Sequence, residues 1–125
     1  MSARRNAGFT LIEVLLATVL LAAELRQVRT RAMASGVPQQ FELDPRTGEW
    51  SSTLGHHGKV PAPLRMTFTG ARQLQPRPGR GAIRFFADGA SSGGRIDLAT
   101  QQAYWRIDVA WITGEVRSGR VASPR

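Results

Sequence analysis

The sequence predicts an α+β fold: a single N-terminal hydrophobic helix followed by a small antiparallel β-sandwich head. The first observation behind this is the run Phe9–Ala23, which is rich in Leu and Ala, has no Pro or internal Gly, and carries Glu13 as its one charge. Such a composition favours helix. The second is the series of short alternating segments after Pro38, separated by Gly- and Pro-containing turns about every 8–12 residues, which is typical of a sandwich.

Length and composition limit what the chain can be. Its 125 residues have room for one domain and an anchor. The chain has no cysteine, which excludes disulfides and thiolate metal sites. The formal net charge is +8, and all but one of the 17 basic residues are Arg. This balance suits nucleic acid or an anionic surface, or simply reflects a GC-rich genome that encodes Arg in place of Lys.

Residues 1–8 read as a short basic leader that contains Arg4 and Arg5. A basic start before an apolar run is typical of a secretory signal peptide, but here Gly8 precedes the run and Glu13 lies within it. A glutamate in hydrocarbon costs roughly 2.5–3.5 kcal/mol, so it needs a partner. Cleavage after Gly8 would supply one, because the new amino group of Phe9 would lie one helical turn from Glu13 or beside the Glu13 of a neighbouring subunit.

The string Gly8-Phe9-Thr10-Leu11-Ile12-Glu13 resembles the class III signal of type IV pilins and type II secretion pseudopilins. The resemblance implies that a prepilin peptidase cuts between Gly8 and Phe9, that Phe9 is N-methylated, and that Glu13 acts in subunit recruitment. The alternative is an ordinary membrane anchor that happens to contain a glutamate.

The helix is predicted to continue past Ala23 to about Ser35, with Gly36 as its C-terminal cap. Within this part, Leu21, Leu25, Val28 and Ala32 share one face, as expected of an amphipathic helix. Three basic residues lie largely outside that stripe: Arg26, Arg29 and Arg31. They are interpreted as a solvated face of the helix or as contacts to lipid phosphates. The domain prediction is therefore a leader at 1–8, a transmembrane and assembly helix at 9–36, and a periplasmic β-rich head at 37–125.

The apolar run is short for a membrane span and shorter than the helices of the pilins it resembles. Its 15 residues give about 22 Å of helix, whereas a full span needs roughly 20 residues.

The head is predicted to contain seven strands. They are Gln39–Leu43, Glu49–Thr53, Leu64–Thr69, Ile83–Ala87, Arg95–Ala99, Tyr104–Ile112 and Glu115–Val121. A turn at Asp44–Gly48 makes the first two a hairpin, loops are expected at Leu54–Pro63 and Gln73–Gly81, and a small-residue turn at Asp88–Gly94. The predicted core is Phe41, Trp50, Leu64, Met66, Phe68, Ile83, Phe85, Ile96, Leu98, Trp105, Ile107, Val109 and Trp111.

A second resemblance lies in the head. The segments Ile83–Leu98 and Trp105–Val116, together with Leu25–Gly36, are similar to the H-type minor pseudopilins of type II secretion and their FimT-like relatives. This implies a structural subunit at or near the tip of a periplasmic pseudopilus, anchored in the bacterial inner membrane by one helix. The implied partners are other minor and major pseudopilins, the prepilin peptidase, the assembly platform, membrane lipid and secreted substrates.

Sites of other classes are not expected. His56 and His57 are interpreted as an exposed loop pair, because no third zinc ligand is evident, and Asp88–Gly94 lacks the carboxylates of a calcium loop. No nucleophile motif or carboxylate pair is recognised, so neither an enzyme nor a cofactor is expected. The alternative function is that of a DNA-binding FimT-like pilin, in which Arg117, Arg120 and Arg125 would contact phosphates, although these cations are sparse for that role.

Overall fold

A computed structural model describes residues 11–60, 64–71, 74–101 and 103–122 of the chain. The predicted fold class is confirmed: one helix precedes two antiparallel sheets. The elements are α1 Leu11–Ser35, β1 Gln39–Asp44, β2 Glu49–Ser52, β3 His57–Lys59, β4 Arg65–Gly70, β5 Gly81–Phe85, β6 Gly94–Ala99, β7 Tyr104–Val109 and β8 Val116–Arg120.

As far as the structure describes it, the head consists of two four-stranded sheets, in the orders β3-β2-β1-β5 and β4-β6-β7-β8. The predicted hairpin at Asp44–Gly48 is present and pairs Leu43 with Trp50. After β3 the chain enters the second sheet as β4 and returns to the first as β5, which pairs with β1. Apolar side chains that alternate along the strands face inward and form one core with the helix, as expected of a sandwich.

Helix α1 completes the core. Its predicted stripe is buried, since Leu21, Leu25, Val28 and Ala32 are each at most 2% exposed. The helix contacts β1 and β5 of the first sheet and β6, β7 and β8 of the second, so its apolar face is shared by both sheets. It ends as predicted at Ser35, where Gly36 has φ +73° and donates to the carbonyl of Ala32 at 3.0 Å, a glycine cap.

Within the described residues, no helix combines the length and the apolar character that crossing a membrane requires.

Two predictions about the head are wrong. The segment Leu54–Pro63, expected to be a loop, contains β3, a short edge strand that pairs with β2. Strand β7 ends at Val109, earlier than expected, because the amide of Ala110 donates to the carbonyl of Glu115 and the amide of Gly114 to that of Ala110, which closes a turn. Trp111 therefore lies on this turn with 71% of its surface exposed and is not a core residue.

Candidate functional site

The structure describes only part of the predicted site. Gly8, Phe9 and Arg125 lie outside the described residues. Glu13 lies in the first turn of α1 and is exposed.

The N-terminal half of α1 has two apolar faces with different environments. One face packs on the head: Val14, Thr18 and Leu21 are at most 2% exposed. The other is solvent-exposed, and we call it the assembly face. Its members are 39–67% exposed and consist of Leu11, Ile12, Leu15, Leu16, Val19 and Leu20. Contiguous exposed apolar surface of this kind marks a site of interaction with protein or membrane.

A buried carboxylate joins the middle of α1 to the head. Glu24 is 7% exposed; its Oε2 accepts a hydrogen bond from Ser52 Oγ at 2.6 Å, and its Oε1 lies 2.9 Å from His56 Nδ1. These partners compensate the burial of the charge. The hydroxyl donates to the carboxylate and not to the imidazole, so the three groups are not arranged as a nucleophile and its base.

Sequence reasoning missed this cluster. Glu24 follows Leu21 by three positions and precedes Val28 by four, which places it on the buried stripe of the helix. This spacing could have predicted that Glu24 is buried. His56 was expected to be one of two exposed loop histidines. Its side chain is half exposed, but its Nδ1 lies within hydrogen-bonding distance of the Glu24 carboxylate, whereas His57 is an exposed residue of β3.

Two of the three helix arginines also bind the head, which corrects the expectation of a solvated face. Arg26 Nη2 donates to the carbonyl of Val116 at 2.9 Å. Arg29 donates from Nε to the carbonyl of Gly89 at 3.0 Å and from Nη2 to that of Thr113 at 2.9 Å. Arg29 thus ties α1 to the β5–β6 and β7–β8 loops, while Arg31 is exposed.

The two loops are also bonded to each other through Ser91, which is 1% exposed. Its hydroxyl donates to the carbonyl of Ala110 at 2.8 Å and accepts from the amide of Gly93 at 2.9 Å, and its own amide donates to the carbonyl of Trp111 at 2.9 Å. The predicted turn at Asp88–Gly94 is confirmed, with positive φ at Gly89 and Gly93. These bonds fix the backbone of both loops.

Three apolar side chains project from this fixed pair of loops, and we call them the distal tip. Trp111 and Ile112 are each 71% exposed and Phe86 is 38% exposed. The tip adjoins the C-terminal half of α1, through Arg29, and so lies at the other end of the helix from the assembly face.

The structure does not bring together Arg117 and Arg120, the two candidate DNA-binding arginines that it describes. On β8, Arg117 pairs in register with Asp108, which points to the polar outer face, and Arg120 pairs with Trp105 on the inner side. Arg117 and Arg120 therefore point to opposite faces of the edge strand. Arg117 also lies 3.2 Å from the carboxylate of Glu115.

Ion pairs elsewhere on the head are structural. Arg106 Nε lies 2.9 Å from Asp97 Oδ1 on the outer face of the second sheet, and this hydrogen bond raises the pKa of Arg106. At the β1–β2 turn, hydrogen bonds from Arg46 to Asp44 lower the pKa of that carboxyl. Among the described residues, no three His, Cys, Asp or Glu side chains converge as a metal ion would require.

Comparison with known families gives two matches. The model of the family "Type II transport protein GspH" matches residues 17–114, and that of the prokaryotic N-terminal methylation motif matches residues 3–23. The type II secretion system protein H of Xanthomonas campestris pv. campestris is 59% identical over 104 residues, which are 83% of this chain and 62% of that protein. The match thus spans less than two thirds of that relative's length.

Solved structures share the fold at low sequence identity. The minor pseudopilin EpsH of the Vibrio cholerae type 2 secretion system superposes with a TM-score of 0.71 at 12% identity, covering 89% of this chain and 99% of that one. The type IV minor pilin FimU of Pseudomonas aeruginosa gives 0.65 at 14% identity, covering 89% and 94%. At these identities the similarity establishes the architecture of one helix and a two-sheet head.

Proposed function

The chain belongs to the GspH family of type II transport proteins, and from that premise we propose that it is a minor pseudopilin, a structural subunit at or near the tip of the periplasmic pseudopilus of type II secretion. Its task is mechanical: it joins a filament whose growth helps to export proteins, and its own side chains carry out no reaction.

The assembly face is the observation that carries this proposal. The match to the N-terminal methylation motif ends at residue 23 and so includes all six exposed apolar residues of that face. The opposite side of the same helix segment is buried in the head. A helix that already contacts its own head on one side has only its other side available for neighbouring helices or lipid, and an apolar side is suited to either.

Processing would complete this surface. A prepilin peptidase would remove residues 1–8, and the amino group of Phe9, after N-methylation, would offset the charge of Glu13 in its own or a neighbouring subunit. The helix would hold the protein at the inner membrane with the head in the periplasm. The proposed partners are other minor and major pseudopilins, the inner-membrane assembly platform and secreted proteins.

The experiment is complementation in the native host, with the gene deleted and returned as variants. Mass spectrometry of the recovered protein is expected to give Phe9, methylated, as the first residue. Glu13→Ala is expected to abolish or strongly reduce both secretion and co-purification with the other pseudopilins, while the protein level in the membrane stays unchanged. Glu13→Asp, which keeps the charge, serves as the matched control and is expected to retain part of the activity.

Two results would contradict the proposal. One is a native protein that retains residues 1–8 or is cut after Ala23, because the amine of Phe9 would then be absent. The other is normal secretion by Glu13→Ala, which would leave a plain membrane-anchored domain. DNA uptake is not advanced as a second function, because Arg117 and Arg120 point to opposite faces of β8.

A further inference from the structure

We propose that the distal tip, Phe86, Trp111 and Ile112, is a docking surface for a different pilin-like subunit that presents an apolar surface bordered by carboxylates. The inference rests on the proposed function and extends it to a named surface of the head. It is carried by the exposure of the tip, the rigidity of its loops, and the unneutralised charge beside it.

The tip is built to present apolar groups. Trp111 and Ile112 are each 71% exposed, while the backbone beneath them is held by the buried Ser91 and by Arg29. Because this backbone is already fixed, docking on it costs little further backbone conformational entropy. Exposed Trp on such a support is typical of an interface anchor.

A cationic groove lies directly beside the tip. It is open, has a volume of about 670 Å³, and is lined by Arg26, Arg29, Thr30, Thr113, Glu115 and Val116. The two arginines donate hydrogen bonds to backbone carbonyls. Because a carbonyl carries no formal charge, these bonds leave the positive charge of both guanidinium groups in place. The one carboxylate of the groove, on Glu115, lies 3.2 Å from Arg117. The groove thus keeps positive charge that a partner's carboxylate would meet.

The same charges argue against a second copy of this chain as the occupant. Once Arg4 and Arg5 leave with residues 1–8, the formal net charge falls from +8 to +6, so two copies still repel at long range, whereas an acidic partner is attracted. The tip also lies roughly 20 Å along α1 from the assembly face, measured from Leu16 to Arg29 at 1.5 Å per residue. A subunit with distinct surfaces at its two ends can contact two different neighbours of a helical filament.

The test is site-specific photo-cross-linking in the native host, with the full chain carrying p-benzoylphenylalanine at position 111 or at position 16 of the assembly face. The expected result is a cross-link from position 111 to a different pilin-like subunit of net negative charge. The tip inference is overturned if position 111 cross-links to a second copy, a secreted protein or lipid, or gives no cross-link. If position 16 cross-links to pseudopilins in the same experiment, the proposed function still stands. Absence of subunit cross-links from both positions removes both.

Affinity measurements with the cross-linked subunit then test the chemistry. Trp111→Ser is expected to weaken binding of the full chain at least about tenfold, as for an interface anchor, and Val37→Ser, at another exposed apolar residue, less than about twofold. Arg26→Glu is expected to weaken binding several-fold, whereas Arg31→Glu, an equal charge change on the same helix, should not. Equal losses for Arg26→Glu and Arg31→Glu, or none for Trp111→Ser, overturn the proposal.

Discussion

The Nδ1 atom of His56 lies 2.9 Å from the carboxylate of Glu24, so the β2–β3 loop is joined to the middle of α1 across 32 positions of the chain. The helix and head are therefore held together by a polar contact as well as by the apolar stripe. Because Glu24 is buried and His56 is half exposed, the carboxylate depends on its partners more than the imidazole does.

Removing His56 is expected to destabilise the protein. In His56→Ala, Glu24 keeps only the hydroxyl of Ser52 as a described side-chain partner, and a hydrogen bond to a charged group contributes about 1.5–3 kcal/mol. Solvent at the half-exposed imidazole reduces this, so we expect a loss of about 1 kcal/mol in the free energy of unfolding. Urea unfolding of the full chain in mild detergent, followed by tryptophan fluorescence, measures it.

The adjacent residue provides the control for that experiment. His57→Ala changes an exposed side chain of β3 and is expected to shift the free energy of unfolding by less than about 0.5 kcal/mol. If the two alanine variants unfold at the same urea concentration, the contact between His56 and Glu24 does not stabilise the docked helix.

Acidification is expected to weaken the β1–β2 turn through Asp44. Hydrogen bonds from Arg46 lower the pKa of this carboxyl below its ordinary value of 3.8. A carboxyl whose pKa is lower in the folded state contributes stability that is fully present above the unfolded pKa and is lost as pH falls through the folded pKa. The stability difference between the parent and Asp44→Asn should therefore be constant above about pH 5 and shrink below about pH 4.

Unfolding curves collected across the acid range check this. Arg46→Ala removes the side-chain donor that lowers the pKa of Asp44. The difference in free energy of unfolding between this variant and the parent should therefore have the same pH dependence. A difference that grows as the pH falls below 4 would contradict the assignment.

Gly114 is expected to tolerate no side chain. Its φ is +70°, and a Cβ there would collide with the carbonyl oxygen of Gly89 and the guanidinium of Arg29. Gly114→Ala should cost at least about 1–3 kcal/mol from the backbone conformation alone and should shift the loops of the distal tip. Gly119→Ala is the control: a Cβ on that residue of β8 would meet nothing within 4 Å, so its unfolding free energy should stay within about 0.5 kcal/mol of the parent.

The sequence predicted the features that depend on local periodicity. The stripe from Leu21 to Ala32 and its cap at Gly36 follow from helical spacing and from the conformational freedom of glycine. The position of Trp111 did not follow, because the alternation of β7 continues through it in the sequence. Contacts from distant residues help to end the strand. The hydroxyl of Ser91 donates to the carbonyl of Ala110, 19 positions away, and the guanidinium of Arg29 donates to the carbonyl of Thr113, 84 positions away.

In the candidate site, too, the features that depend on local sequence could be predicted and those that depend on tertiary contacts could not. The apolar character of the assembly face could be inferred from composition, and Glu13 stands out by its placement in an apolar run. The pairing of Glu24 with His56, and of Arg29 with two loop carbonyls, depends on how the helix docks on the head. Spacing along the sequence does not specify that docking.

The two apolar sides of α1 are expected to respond differently to the same substitution. Leu25 is fully buried and Leu16 is 54% exposed. Leu25→Ala should lower the free energy of unfolding by about 2–5 kcal/mol, since it removes core contacts and leaves a cavity, whereas Leu16→Ala should change it by less than about 0.5 kcal/mol. In secretion and co-purification assays Leu16→Ala should nevertheless be impaired at normal protein level, because its side chain faces the proposed neighbours. Loss of stability in Leu16→Ala, or wild-type co-assembly of that variant, would mean that this side of the helix serves the fold and not the filament.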